Sequence, residues 1–201
     1  MSLGDLILYI ELSLLFGVVF AAIEVSKRKF NLPTEIMRRV AHISSGLLVI
    51  IDYLVLPAIP FVVMITSGGV LFFVLSRLNL FSSINNVQRH TYGQYVLTFG
   101  YLSAYLISLN KPEIFIPTVL ILSFADALAG LYGTLTKAKN RTVLGSVVFF
   151  IISLVILLST GTQLLPALVI ATSVTLVERV TPLGFDNVTV PLATALLLLA
   201  F

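Results

Sequence analysis

The sequence predicts an all-α fold, a polytopic integral membrane helical bundle of about eight segments. Three observations predict it. Of the 201 residues, 58% are hydrophobic and only 10% are charged, where a soluble domain carries about 25% charged residues. The apolar residues gather into long runs, and the basic residues fall into the gaps between alternate runs. This length leaves room for one membrane-embedded domain over 1–201 and for no separate soluble domain. The absence of cysteine excludes a disulfide, a thiolate metal site and a cysteine nucleophile. Two histidines cannot build a three-histidine metal site, and a modest formal charge of +3 gives little support to nucleic-acid binding.

The apolar segments run over about 5–25, 40–56, 58–76, 94–109, 113–134, 143–160, 163–178 and 187–201. The first carries Asp5 in place of a basic leader, and its first basic residue, Lys27, follows the apolar run, so it is not read as a cleavable signal peptide. The fourth, seventh and eighth are short for a hydrocarbon layer of about 30 Å. They are tilted, half-buried or extended into flanking polar residues, and seven spans plus one re-entrant piece is the alternative. Lys27, Arg28, Lys29, Arg38 and Arg39 follow segment one, Arg77 and Arg89 segment three, Lys137, Lys139 and Arg141 segment five, and Arg179 segment seven. Eleven of the twelve basic residues thus lie on one side, with Lys111 alone on the other. The excess of Lys and Arg on cytoplasmic loops makes that side cytoplasmic and places both termini outside.

Local signals refine the segments. Pro33 limits the preceding chain, and Thr34 is expected to cap a helix that the charge of Glu35 favours. Arg38, His42, Ser45 and Gly46 then fall on one face, with Arg39 beside it. Ser67-Gly68-Gly69 is a small patch for close helix packing or a kink. The longest cytoplasmic loop ends in Arg89-His90-Thr91-Tyr92-Gly93. Segment seven ends at Glu178-Arg179, and the turn Thr181-Pro182-Leu183-Gly184-Phe185 leads to Asp186-Asn187. Glu11, on the outer half of segment one, is read as a packing partner or an outer-facing contact.

The stretch Ser123–Ser146 carries the sharpest signal. Asp126, Ala129, Gly130 and Gly133 are spaced by three, four and seven, so they share one helical face with one carboxylate and little else. The ten large apolar residues of this segment favour insertion by roughly 3–6 kcal/mol, and a central Asp opposes it by about 2.5–3.5 kcal/mol. Asp126 is tolerated at a large fraction of that drive. A structural Asp paired with a neighbouring helix is the plain alternative. Lys137, Lys139, Arg141 and Thr142 follow, then Gly145-Ser146. An ordinary basic cytoplasmic loop also explains the cations. Apart from Glu11, every candidate lies near the cytoplasmic side: carboxylates suited to a divalent cation, and cations suited to phosphates.

Taken together, the motifs resemble the CTP-dependent lipid-alcohol kinases: dolichol, polyprenol and phytol kinases and the related CTP-using diacylglycerol kinase. The resembling pieces are Arg38-Arg39-Val40-Ala41-His42 with Gly46, and Arg89-x-Thr91-Tyr92-Gly93. Then come Ala125-Asp126-Ala127-x-Ala129-Gly130-x-x-Gly133, Thr142-x-x-Gly145-Ser146, and Glu178 with Asp186-Asn187-x-Thr189-x-Pro191. They stand in the family's order from about residue 35 to 191. The resemblance implies a multi-span fold and phosphoryl transfer from CTP to a membrane lipid alcohol, with Mg²⁺ or another divalent cation. It makes Asp126, Asp186 and Glu178 the catalytic and metal-holding residues, Asp186 being the choice for accepting the alcohol proton and a metal role the alternative. Arg38, His42, Arg89, Gly130, Gly133, Lys139, Arg141, Thr142, Gly145, Ser146 and Asn187 are the expected nucleotide and phosphate contacts. Two positions depart from the family. It often has Lys-Ser/Thr-x-Glu-Gly where this chain has Arg141-Thr142-Val143-Leu144-Gly145, and an acidic residue where Gln94 stands. Two other readings remain: a cytidylyltransferase making a CDP-lipid, and a non-catalytic protein that binds or moves a phospholipid.

Overall fold

The structure is a computed structural model that describes residues 2–78, 92–136 and 141–201, without the side chain of Gln94. All regular structure among the described residues is helical. In chain order the helices are α1 (Leu3–Phe30), α2 (Thr34–Val55), α3 (Ala58–Arg77), α4 (Gly93–Ser108), α5 (Pro112–Leu135), α6 (Val143–Ser159), α7 (Leu164–Val180) and α8 (Asp186–Ala200). Helices α1, α3 and α5 are long and apolar enough to cross a membrane, and α4, α6 and α8 contain shorter apolar stretches. The bundle expected from the apolar runs is the bundle observed. The main difference is at the ends. Helix α1 continues past residue 25 through Lys27, Arg28 and Lys29, and α2 starts at Thr34 rather than 40. Apolar runs mark only the part of a helix at hydrocarbon depth, and these helices extend into the polar layer.

The chain divides into two compact units, residues 1–90 and 91–201. The first is built from α1, α2 and α3. A reciprocal cap starts α1: the Asp5 N–H donates to Ser2 Oγ at 3.1 Å, and the Ser2 N–H donates to Asp5 Oδ2 at 2.7 Å. Its last turn carries Lys27, Arg28 and Lys29, which suit the negative end of the helix dipole. Ile23 packs with Met37 and Ala41 of α2, flanked by Val19, Phe20 and Phe72. The Tyr9 and Ser67 hydroxyls meet at 2.8 Å, joining α1 to α3. Thr34 does not cap α2. It is the first helical residue, Pro33 takes the boundary position, and no side chain caps the helix. Proline already presets the backbone there, and Glu35 turns instead to Arg38 at 3.0 Å. Within Ser67-Gly68-Gly69, Ser67 makes the interhelical contact, whereas a side chain on Gly68 would meet open space.

The second unit packs α5 to α8 around Ile121, Ala125, Phe149, Leu157, Ala167, Ile170, Ala171, Val174 and Val190, all buried. Small residues let the helix backbones approach, as apolar helices in lipid require. The closest approach is that of α8 to α4. Pro191 has no N–H, so the carbonyl of Asn187, four residues earlier, loses its helical donor. That carbonyl faces Gly100 so closely that a Cβ there would collide with it. In α5, Pro117 likewise removes the donor for the Glu113 carbonyl. One turn later the helix widens into a π turn over Ile121–Ala125, after which a regular helix resumes at Asp126. A π turn absorbs one residue and rotates the remainder of the helix by about 100° relative to a continuous α-helix. Ile121, Leu122, Ser123 and Ala125 are all buried, a broader stripe than an α-helix would bury. The facing of Asp126 therefore depends on this turn.

Gly100→Ala should lower stability by about 1–3 kcal/mol through overpacking. Gly68→Ala, a helix-interior change into open space, should raise it by roughly 0.5–1 kcal/mol. Melting midpoints of the two purified variants in one detergent check this, and equal shifts would remove the close α4–α8 contact from the packing account.

Candidate active site

Four chain segments of the second unit converge on one acidic cluster. Asp126 opens the regular part of α5 beyond the π turn. Glu178 lies in the last turn of α7, and Asp186 begins α8, where the positive end of the helix dipole suits a carboxylate. Arg141 immediately precedes Thr142, the cap of α6. One oxygen from each of the three acids lies within 4.8 Å of the other two. The connection from α7 to α8 sets two of them facing each other. Helix α7 ends before Pro182, and Leu183 and Gly184 both have positive φ, 60° and 86°. This tight reversal is tied down when the Tyr92 N–H donates to the Leu183 carbonyl at 2.9 Å. The Tyr92 ring also lies 6.0 Å from that of Phe185.

Arg141 sits among the acids. Its Nε lies 3.0 Å from Glu178 Oε1, one terminal nitrogen donates to the Asp186 carboxylate, and the other donates to the main-chain carbonyl of Glu178. All three guanidinium nitrogens are engaged, and the last bond satisfies one of the carbonyls that a helix end leaves without a helical donor. The Glu178 and Asp186 side chains are only 10% and 12% exposed, so their charges need this partner. Beside them, Thr142 Oγ1 accepts from the Gly145 N–H at 2.9 Å. A Cβ at Gly145 would press on that oxygen at 3.2 Å and meet the Ala129 carbonyl at 3.8 Å. Ser146 Oγ accepts from Arg179 at 3.1 Å, linking the start of α6 to the end of α7. Leu144 is 58% exposed.

The structure thus brings together Asp126, Glu178, Asp186 and Arg141, with Thr142, Gly145 and Ser146 beside them at the start of α6. Gly130 and Gly133 lie further along α5 from Asp126, and Gly133 faces open space. Asn187 is next to Asp186, but its side-chain nitrogen donates to the Gly93 carbonyl at 2.8 Å and holds the start of α4. Arg38 and His42 are on α2 in the first unit, where Arg38 pairs with Glu35 and the His42 carbonyl accepts from Ser45. Arg89, Lys137 and Lys139 lie outside the described residues. Reading the sequence missed two features. Arg179 entered only as one of the cytoplasmic charges, yet it contacts Ser146 and its charge acts on Glu178; its place directly after Glu178 was the available signal. Asp52 is fully buried in α2, and neither carboxylate oxygen has a hydrogen-bond partner among the described residues. An Asp inside the apolar run 40–56 was its signal.

Three carboxylates form a hard, all-oxygen donor set of the kind that holds Mg²⁺. Their ligand oxygens, within 4.8 Å of one another, are close enough for one cation to be shared among them. Three formal negative charges face the positive charge of Arg141, with Arg179 acting on Glu178 from beside it, so the cluster keeps a net negative charge that suits a divalent cation. The residues fit such an ion.

The chain is 29% identical over 201 residues to the phytol kinase of Synechocystis sp., an alignment covering 90% of this chain and 85% of that protein. This likeness supports the resemblance to lipid-alcohol kinases that the ordered motifs carry. No family model matches the chain. No solved structure matches it either.

Asn187→Ala should lower stability by about 1–2 kcal/mol, since it deletes a buried hydrogen bond between α8 and α4. Thermal unfolding of the purified variant reads this directly. A variant as stable as the parent would mean that the Gly93 bond does not hold α4.

Proposed function

We propose that the chain is a CTP-dependent kinase of a long-chain isoprenoid alcohol of the polyprenol or dolichol kind. The observation that carries this reading is the meeting of Asp126, Glu178 and Asp186 with Arg141 beside the capped start of α6. The likeness to a phytol kinase supports the reaction class and an isoprenoid alcohol as acceptor. In the reaction the alcohol oxygen attacks the γ-phosphorus of CTP. A new oxygen–phosphorus bond forms, the bond from the γ-phosphorus to the β–γ bridging oxygen breaks, CDP leaves, and the alcohol proton passes to a base.

Little covalent chemistry is asked of the protein in such a transfer; positioning and charge stabilisation supply most of the catalysis. Asp126, Glu178 and Asp186 would hold Mg²⁺, which when bound draws charge from the phosphate oxygens. Arg141, and Lys139 before it, carry positive charge to the same phosphates. Thr142, Gly145 and Ser146 form the start of α6, whose positive dipole end favours an anion. Asp186 is the choice for accepting the alcohol proton, and its place on the metal is the alternative role. The resemblance names Arg38, His42 and Arg89 as further phosphate or base contacts. The apolar surface of the spans receives the isoprenoid tail, and the one-sided basic residues support a site on the cytoplasmic face with both termini outside.

CTP labelled at the γ-phosphorus should transfer its label to a polyprenol, and α-labelled CTP should not. Asp126→Asn should abolish that transfer while the protein still inserts, because the swap removes a charge from the helix. Label from the α position in the lipid would overturn the kinase reading in favour of a cytidylyltransferase. Loss of folded protein in place of activity would make Asp126 a structural residue. For orientation, Ser82→Cys and Thr162→Cys should react with an impermeant thiol reagent from opposite sides, Ser82→Cys from the cytoplasm; labelling of both from one side would remove this topology.

A further inference from the structure

Charge alone assigns Arg141 to the phosphates of a nucleotide. Its geometry is different. Every guanidinium nitrogen is turned onto protein oxygen: the Glu178 carboxylate at 3.0 Å, the Asp186 carboxylate, and the Glu178 main-chain carbonyl. Two of the three acids that would hold a divalent cation are therefore the two that hold Arg141. A guanidinium and a divalent cation are both positive, and in a poorly solvated cluster their repulsion is weakly screened. They cannot both take these carboxylates at full strength.

We propose that Arg141 is a built-in counter-ion that keeps the acid cluster closed to a free divalent cation, and that a nucleoside triphosphate opens it by drawing the guanidinium onto its phosphates. The inference rests on the kinase reading above and deepens it. Three features of the chain favour such an exchange. The planar fork of an arginine matches phosphate as well as carboxylate, so it has an equivalent partner to move to. The Arg141 side chain is 30% exposed, against 10% and 12% for its two acids, so it has a path outward that they lack. Its main chain directly precedes the Thr142 cap, so the exchange is a side-chain rotation that leaves α6 where it is. The consequence is an order of assembly. Metal alone binds weakly and the nucleotide makes the carboxylates available to it; by linkage the metal strengthens nucleotide binding by the same factor.

The test uses the purified 201-residue chain in detergent, without nucleotide, and Mn²⁺ as probe, read from the loss of the free-ion electron paramagnetic resonance signal. Arg141→Gln should bind Mn²⁺ about tenfold more tightly than the parent, within the usual range of coupling between sites. Arg141→Lys keeps the charge but, as a single point donor, cannot bridge both acids and the carbonyl. It too should bind Mn²⁺ more tightly than the parent, and it serves if the Gln variant does not fold. Mn²⁺ affinity equal to or weaker than the parent's in the folded variants would overturn the proposal. Asp126→Asn separates this failure from failure of the kinase reading. Mn²⁺ binding that depends on Asp126 but is unmoved by Arg141 would remove only the counter-ion role. Binding indifferent to Asp126 would remove the cation site, and the proposal with it.

Discussion

Three carboxylates cannot be gathered at the end of an apolar bundle unless something positive is gathered with them. The ion pairs of Arg141 with Glu178 and Asp186 meet that requirement, and much of the second unit depends on it. Desolvating each carboxylate costs several kcal/mol, and breaking a buried pair from one side costs more than the pair contributes. The pairs also fix geometry. Arg141 begins the chain into α6, Glu178 ends α7 and Asp186 begins α8, so one guanidinium holds three helix termini in register. The reversal through Leu183 and Gly184 then has little freedom. Its unusual left-handed Leu183 is a conformation that non-glycine residues adopt only when their surroundings impose it.

Much of the fold was legible because lipid imposes a simple rule. A backbone at hydrocarbon depth must satisfy its own polar groups, so an apolar run of sufficient length is a helix. Each of the eight runs became a helix among the described residues. The rule is silent about the polar layer, which is why the ends of α1 and α2 ran beyond their apolar limits. It is equally silent about interruptions within a helix. Pro117 and Pro191 are visible in the sequence, but where each freed carbonyl turns depends on the neighbouring helix. Gly100 lies more than eighty residues from Asn187, and no local pattern joins them. The π turn before Asp126 is likewise a product of packing.

The candidate site was legible in its parts and not in its pairing. Asp126 stood out as an acid in an apolar run, and Glu178 and Asp186 as acids flanking a Pro-Gly turn. Spatial convergence of the three comes from the way the helices pack, which spacing does not encode. Arg141 looked like one of three basic residues in a loop, and the resemblance of Arg141-Thr142-x-x-Gly145 to the family motif made it a phosphate contact by expectation. Its grip on two acids needs the tertiary fold. Asn187 shows the same gap in reverse: a polar residue beside a site whose side-chain nitrogen secures another helix.

The helices of the second unit carry a further meaning for the bilayer around them. Helices α4, α6, α7 and α8 have 16, 17, 17 and 15 residues, about 22–26 Å at 1.5 Å per residue. Hydrocarbon of about 30 Å exceeds that span, and membranes accommodate short spans by thinning beside them. Lipids next to this unit would then bring their polar ends nearer the midplane than lipids elsewhere. On the proposed reading, a carboxylate cluster at the end of short helices would meet a lipid hydroxyl at the depth where the mismatch leaves it, with no lipid lifted out of the membrane. Such mismatch also sorts proteins between thick and thin membranes, so helix length becomes a determinant of which bilayer the protein occupies.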